Sequence, residues 1–166
     1  MPKHKYTFER YCSPKRWDTY YQQIKYCREC GAKLNVLVIG PGDYIVPLIL
    51  TEMGYHVETF GIEETADYVG DLRDIENIIE KDYDVIICCE VLEHIELDKA
   101  IEVIKYLKTR AQKRIIISVP ILTYSVDKYH KWELGHGIDE EGFTQFFHNP
   151  IVKIIGNKFF FVIENK

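Results

Sequence analysis

Residues 36–44 read "VLVIGPGDY". Four apolar residues, three of them β-branched, run into the glycine turn Gly40-Pro41-Gly42. This is the signature of a short buried strand, predicted over 35–40. Beyond the turn, "DYIVPLILTEMG" (43–54) reads as a helix, with Asp43 near its start and Gly54 as its stop. Pro47 falls in the first turn, where a missing N–H is tolerated. Strand, glycine turn, helix is an arrangement that binds ligands for two reasons. Glycine lets the backbone approach a bound group closely, and the helix start offers free N–H groups. The dinucleotide fingerprint would require glycine at position 45, where Ile45 stands. A nicotinamide-dependent oxidoreductase is therefore disfavoured.

Strand and helix signals alternate outward from this unit. "YHVETFGI" (55–62) is a second strand, "DYVGD" (67–71) a short third and "YDVIICCE" (83–90) a very apolar fourth. "LRDIENIIEKD" (72–82) is predicted as a brief helix. "ELDKAIEVIKYLKTRAQ" (96–112) is the clearest amphipathic helix, with Ala100, Ile101, Ile104 and Leu107 on one face. "RIIISVP" (114–120) is a fifth strand, with Pro120 as a turn device. After a loop over 121–137, Asp139 caps a short helix, "DEEGFTQFF" (139–147). "PIVKIIGNKFFFVIENK" (150–166) is a hairpin turning at Gly156-Asn157. Before the first strand, residues 14–30 place Trp17, Tyr20, Tyr21, Ile24 and Cys27 at helical spacing. The order implies an α/β fold, a doubly wound, mostly parallel sheet closed by a C-terminal antiparallel hairpin.

At 166 residues, 46% hydrophobic and 28% charged, the chain suits one globular domain. Residues 1–33 are expected to form a helical cover on a core spanning 34–166. No apolar run reaches the roughly 20 residues of a membrane span, and the first residues have no signal-peptide core, so a soluble cytoplasmic protein is expected. The net charge of −5 argues against a general nucleic-acid binder, yet it is unevenly spread. Residues 1–33 hold eight cations against three acids, a charge of +5, which leaves −10 on the remainder. That segment is either a solvated basic surface or a patch for an anionic substrate. Cys88 and Cys89 read as buried strand thiols. Cys27 and Cys30 resemble half of a zinc knuckle, but no second CxxC exists and only Cys12 and His4 could complete the set, so a helix end before Gly31 is the better reading.

Five ordered segments give the chain a more specific resemblance. "VLVIGPGDY", "YVGDL", "YDVIICCEVLEHI", "IIISVP" and the leading "YCSPKRWDTYYQQI" are similar to successive motifs of the class I S-adenosylmethionine-dependent methyltransferases. The resemblance covers nearly the full length. It implies the Rossmann-like, seven-stranded methyltransferase fold and S-adenosylmethionine as cofactor. On this resemblance the turn Gly40-Pro41-Gly42 approaches the methionine part, Asp71 and Leu72 hold the adenine, and Glu90 borders cofactor and acceptor. Three positions depart from the pattern. Val38 stands where an acid is usual, Tyr44 where a third glycine is usual, and Gly61 where an acid binds the ribose hydroxyls. Glu63 or Glu64 could reach the ribose instead. Losing a charge-assisted diol contact costs about ten- to a hundredfold in affinity.

Glu90, Glu93 and His94 have the spacing E-x-x-E-H just after the fourth strand. In open α/β sheets ligands bind off the carboxyl ends of the strands, so these residues belong beside the cofactor. With a helical turn beginning near Val91 they would converge as a divalent-metal face, for Mg or Mn, or act as base. The bland alternative is a structural turn whose acids suit a helix start. The motif is similar to that of ubiquinone-biosynthetic O-methyltransferases and of small-RNA 3′-terminal 2′-O-methyltransferases. The latter add a histidine from the loop after the fifth strand. Here that loop carries "YHKWELGHGIDEEGF" (129–143), so His130 is the expected fourth ligand and His136 its substitute. His4, His56 and His148 have no such context, and Trp17 and Trp132 could wall the acceptor pocket or pack in the core. The resulting expectation is an O-directed methyltransferase acting on a small molecule or an RNA, without a membrane partner. The rival is a non-catalytic methyltransferase-fold module that binds a protein or RNA.

Overall fold

The computed structural model describes residues 13–121, 130–135, 137–147 and 150–164. His4, Cys12, His136 and His148 lie outside the described residues. Helix α1 (Pro14–Glu29) precedes β1 (Asn35–Ile39), α2 (Ile45–Glu52), β2 (His56–Gly61) and β3 (Tyr68–Val69). A 3-10 segment, Leu72–Asn77, leads to β4 (Tyr83–Cys89). A 3-10 turn, Leu92–His94, then precedes α3 (Leu97–Arg110) and β5 (Ala111–Pro120). The chain continues through β6 (Glu133–Leu134), β7 (Gly137–Ile138) and α4 (Glu140–Thr144) to the hairpin β8 (Ile151–Ile155) and β9 (Lys158–Glu164). The seven-stranded sheet has the order β3-β2-β1-β4-β5-β9-β8. β3, β2, β1, β4 and β5 are parallel, and β9 and β8 close the sheet antiparallel.

Strand alternation sorts the core into two layers. Val36 and Val38 of β1 pack on one side with Tyr20, Tyr26 and Cys27 of α1 and Val46 and Leu50 of α2. Leu37 and Ile39 point the other way, to Leu72, Ile75 and α3. Both faces of the central strands are covered, which is why they read as continuous apolar runs and not as alternating ones. α3 buries Ala100, Val103, Ile104 and Leu107, the i, i+3, i+4, i+7 stripe, whereas Ile101 is only half-buried. Each large aliphatic side chain so buried stabilises the fold by about 1.5–3 kcal/mol. The cover helix is tied down by Arg114 of β5. Its guanidinium donates to the Tyr26 carbonyl at 2.6 Å and pairs with Glu29 and Glu164.

Three expectations need correction. Residues 72–82 form only a six-residue 3-10 segment, capped by Asp71, whose carboxylate accepts from Arg73 N at 2.9 Å. The turn after β4 is likewise 3-10 and stops at His94, so no α-helix begins near Val91. The loop over 121–137 contains a small pairing of β6 with β7. Cys27 and Cys30 lie at the end of α1 as expected, and burial pushes the Cys27 thiol up to about 12. Among the described residues no helix is long and apolar enough to cross a membrane.

Candidate functional site

Off the carboxyl ends of β1, β2 and β4 lie two cavities that share Ile39, Gly40, Gly42 and Glu90. The larger, about 360 Å³, is mainly apolar, with Phe60, Ile62, Leu72, Val91 and Ile95 among its walls. Asp71 and His94 also reach it. The smaller, about 160 Å³, is lined by charged and polar groups, including Arg16, Gln23, Asp43 and Lys158, under α1. Together they make one cleft with an apolar end and a charged end, joined across the glycine turn.

The turn is built for close approach. Gly40 has φ +62°, and a Cβ there would collide with Val91 Cγ2. Gly42 also lies in the left-handed region, at φ +57°. Tyr44, at the place of a third glycine, adopts the same region with φ 61° and bonds Thr65 Oγ1 through its hydroxyl at 3.0 Å. The backbone shape survives the substitution at a strain cost of about 1–2 kcal/mol. Gly61 is outside the left-handed region, and a Cβ there would meet Glu63 Oε2 at 2.8 Å. The Glu63 carboxylate thus lies over the position where residue 61 would carry an acid. Val38 is buried in the core. The acid at the charged end is instead Asp43, which accepts a hydrogen bond from the Tyr20 hydroxyl and another from Ile45 N at 3.2 Å. Asp71 lines the apolar end, but both its oxygens are held by the Arg73 guanidinium, at 2.9 and 2.5 Å. Those hydrogen bonds lower its pKa to about 2.

The E-x-x-E-H residues divide. Glu90, with φ 59°, continues the β4 backbone to Ser118 through N–H···O at 3.0 Å. Its carboxylate accepts from Ser118 Oγ at 2.9 Å and pairs with Lys158 Nζ at 2.6 Å. Glu90 therefore faces the cleft, and the group of converging ligand atoms among the described residues holds three of the four expected ligands, without Glu90. Glu93, His94 and His130 do come together: one ligand atom from each lies within 4.8 Å of the others. The residues 130–134 reach this turn through two hydrogen bonds. Lys131 N donates to Glu93 O at 2.7 Å, and Trp132 Nε1 donates to Ile95 O at 3.1 Å. Trp132 is a buried core residue, whereas Trp17 is 44% exposed.

Glu93 is the anomaly of this cluster. It is 1% exposed, and neither carboxylate oxygen has a hydrogen-bond partner among the described residues. Burial first, and the charge of Glu90 second, push its carboxyl well above the usual range. A buried acid without partners is costly unless it is protonated or faces a cation. One carboxylate and two imidazoles form a donor set that fits a divalent ion. Cys88 is fully buried and Cys89 half-buried, and burial raises both thiols, Cys89 to about 12, so neither supplies a thiolate. Sequence reasoning missed Tyr20, Lys158, Ser118 and Glu133. Tyr20, Lys158 and Ser118 carry no local motif: α1 and the sheet order bring Tyr20 and Lys158 to the cleft and Ser118 to Glu90, while Glu133 stands three residues after His130 and pairs with it.

Strand order, closing hairpin and cleft define a class: the Rossmann-like fold of the S-adenosylmethionine-dependent methyltransferases. Similar solved structures bear the fold out. One is a SAM-dependent methyltransferase from Archaeoglobus fulgidus, 13% identical, with a TM-score of 0.70 over 95% of this chain and 97% of that one. Another is magnesium protoporphyrin IX methyltransferase (ChlM) from Synechocystis PCC 6803 with bound SAH, 14% identical, with a TM-score of 0.68 over 92% and 84%. A third is the small RNA methyltransferase HEN1, 18% identical, with a TM-score of 0.65 over 90% of this chain and 25% of that one. No protein-family model matches the sequence, and no curated protein matches it.

Proposed function

We propose that this chain is an S-adenosylmethionine-dependent methyltransferase that acts on oxygen, with a divalent ion at Glu93, His94 and His130. The observation that carries the reading is the two-ended cleft. Its apolar end suits an adenosine and its charged end a methionine zwitterion, and the glycine turn lies between them. Leu72 and Phe60 would pack the adenine, and Glu63 would accept the ribose hydroxyls. Arg16 and Lys158 supply positive charge for the amino-acid carboxylate, and Asp43 negative charge for the ammonium. The tie of Asp71 to Arg73 makes Asp71 a wall of this end and not its main hydrogen-bond acceptor.

The bound cofactor supplies a methyl group on a sulfonium. Its transfer to an acceptor oxygen would break the carbon–sulfur bond, leave the electron pair on sulfur and release the acceptor proton to water. The chain aligns the two partners and eases the loss of the proton. His94 belongs to both the cavity wall and the cluster, so it brings the acceptor chemistry to the cofactor cleft. A cation held there would lower the pKa of an acceptor hydroxyl. Two imidazoles with one carboxylate favour Mn over Mg in that role.

The rival binding-module reading draws on Val38, Tyr44 and Gly61 and on the basic residues 1–33. Asp43, the left-handed Tyr44 and the placement of Glu63 each supply what those departures remove. The test is a crystal soaked with S-adenosylhomocysteine and manganese. Density is expected along Gly40–Gly42 and, as an anomalous peak, between Glu93, His94 and His130. An empty cleft at millimolar ligand would overturn the enzyme reading, and a missing peak would overturn the ion.

A further inference from the structure

Behind the Glu93–His94–His130 cluster stands a residue whose geometry reaches further than the cluster itself. His130 Nδ1 lies 2.6 Å from Glu133 Oε1. Glu133 is 4% exposed, on β6, between the buried Trp132 and Leu134. Its backbone is fixed by the pairing of β6 with β7 and by the two hydrogen bonds that clamp residues 131 and 132 onto the 93–95 turn. With Nδ1 taken by Glu133, the nitrogen that His130 can offer elsewhere is Nε2. The ring also lies 5.0 Å, centroid to centroid, from that of His94, at 64°.

We propose that Glu133 is the positioning residue of this cluster. It accepts the Nδ1–H of His130, fixes the ring in the tautomer whose Nε2 bears a lone pair, and aims that lone pair at the point shared with Glu93 and His94. The inference rests on the cation reading above for its consequence, but not for its geometry. A carboxylate behind a ligating imidazole raises the basicity of the ligand and fixes its orientation, and removing it costs about 10–100-fold in metal affinity. Glu133 does this from behind the ring, touching neither acceptor nor cofactor.

The experiment uses the full chain and two variants, Glu133→Gln, which keeps an acceptor but loses the charge, and Glu133→Met, which loses both. Three quantities are read. These are the tautomer of the His130 ring from its ¹⁵N shifts in metal-free protein at pH 9, Mn²⁺ affinity by titration, and S-adenosylhomocysteine affinity as a control for folding. The wild type is expected to show a single Nδ1–H tautomer. Glu133→Met should show a mixture and bind Mn²⁺ about 10–100-fold more weakly. Glu133→Gln should keep the tautomer and lose about tenfold in Mn²⁺ affinity. An unchanged tautomer in Glu133→Met, or unchanged Mn²⁺ affinity in either variant, overturns the proposal. Should Glu133→Met not fold, Glu133→Gln decides by its Mn²⁺ affinity. Should the wild type bind no Mn²⁺, the cation reading fails, and the tautomer alone decides whether Glu133 orients the ring.

Discussion

Glu93 gives the site a thermodynamic signature. Its ordinary pKa is 4.5, and burial raises the folded value well above that. The stability gained from its protonated form is fully present below pH 4.5 and is lost as the pH rises through the folded value. Glu93→Gln keeps the neutral shape, so in chelator the variant should melt higher than the wild type at pH 8, with the gap closing near pH 4. A relief of about 1–2 kcal/mol would appear as a few degrees. Mn²⁺ should raise the melting temperature of the wild type and leave the variant unmoved. Equal melting at pH 8, or an Mn²⁺ shift in the variant, would contradict the assignment. Glu63 gives a second case. Glu63→Ala should weaken S-adenosylhomocysteine about tenfold, and adding Gly61→Asp should restore it, because the clash with Glu63 Oε2 is then gone and a Cβ at residue 61 meets only Pro41 Cδ at 3.3 Å and Ala66 Cβ at 3.8 Å. A single variant with wild-type affinity would remove Glu63 from the ribose site.

The clamp of residues 130–134 on the 93–95 turn acts on the cluster as one piece. Trp132→Phe keeps a buried ring but removes the donor to Ile95 O, at a cost of about 1 kcal/mol. Mn²⁺ affinity should fall severalfold while S-adenosylhomocysteine affinity holds. A fall in both would mean that Trp132 supports the cleft and not the cluster. The central strands were legible in the sequence because β-branched apolar runs ending in glycine have few other uses. Boundaries were less so. β5 starts at Ala111 because the last residue of α3 passes straight into the strand, with no loop residues to mark the change. The 72–77 segment looked helical by composition, but Asp71 caps only a tight 3-10 turn. Strands β6 and β7, of two residues each, have no period to detect.

The cleft exists because the strand order reverses beside β1, where β2 and β4 diverge and their following segments separate. The sequence placed Gly40, Gly42, Glu93 and His94 at that edge because each follows a strand directly. It could not tie Glu90 to its partners, since those are Ser118 and Lys158, 28 and 68 positions later in the chain. Nor could it supply Asp43 for Val38, because the partner of Asp43, Tyr20, arrives from the cover helix. The two-ended cleft that results is the ground for reading this molecule as a methyl-transfer enzyme. Calorimetric titration of the full chain with S-adenosylhomocysteine should therefore give one-site binding with a Kd in the micromolar range, about −8 kcal/mol. It should be abolished by Gly40→Val, whose side chain would collide with Val91. No heat at millimolar ligand, or binding that Gly40→Val leaves intact, would contradict it.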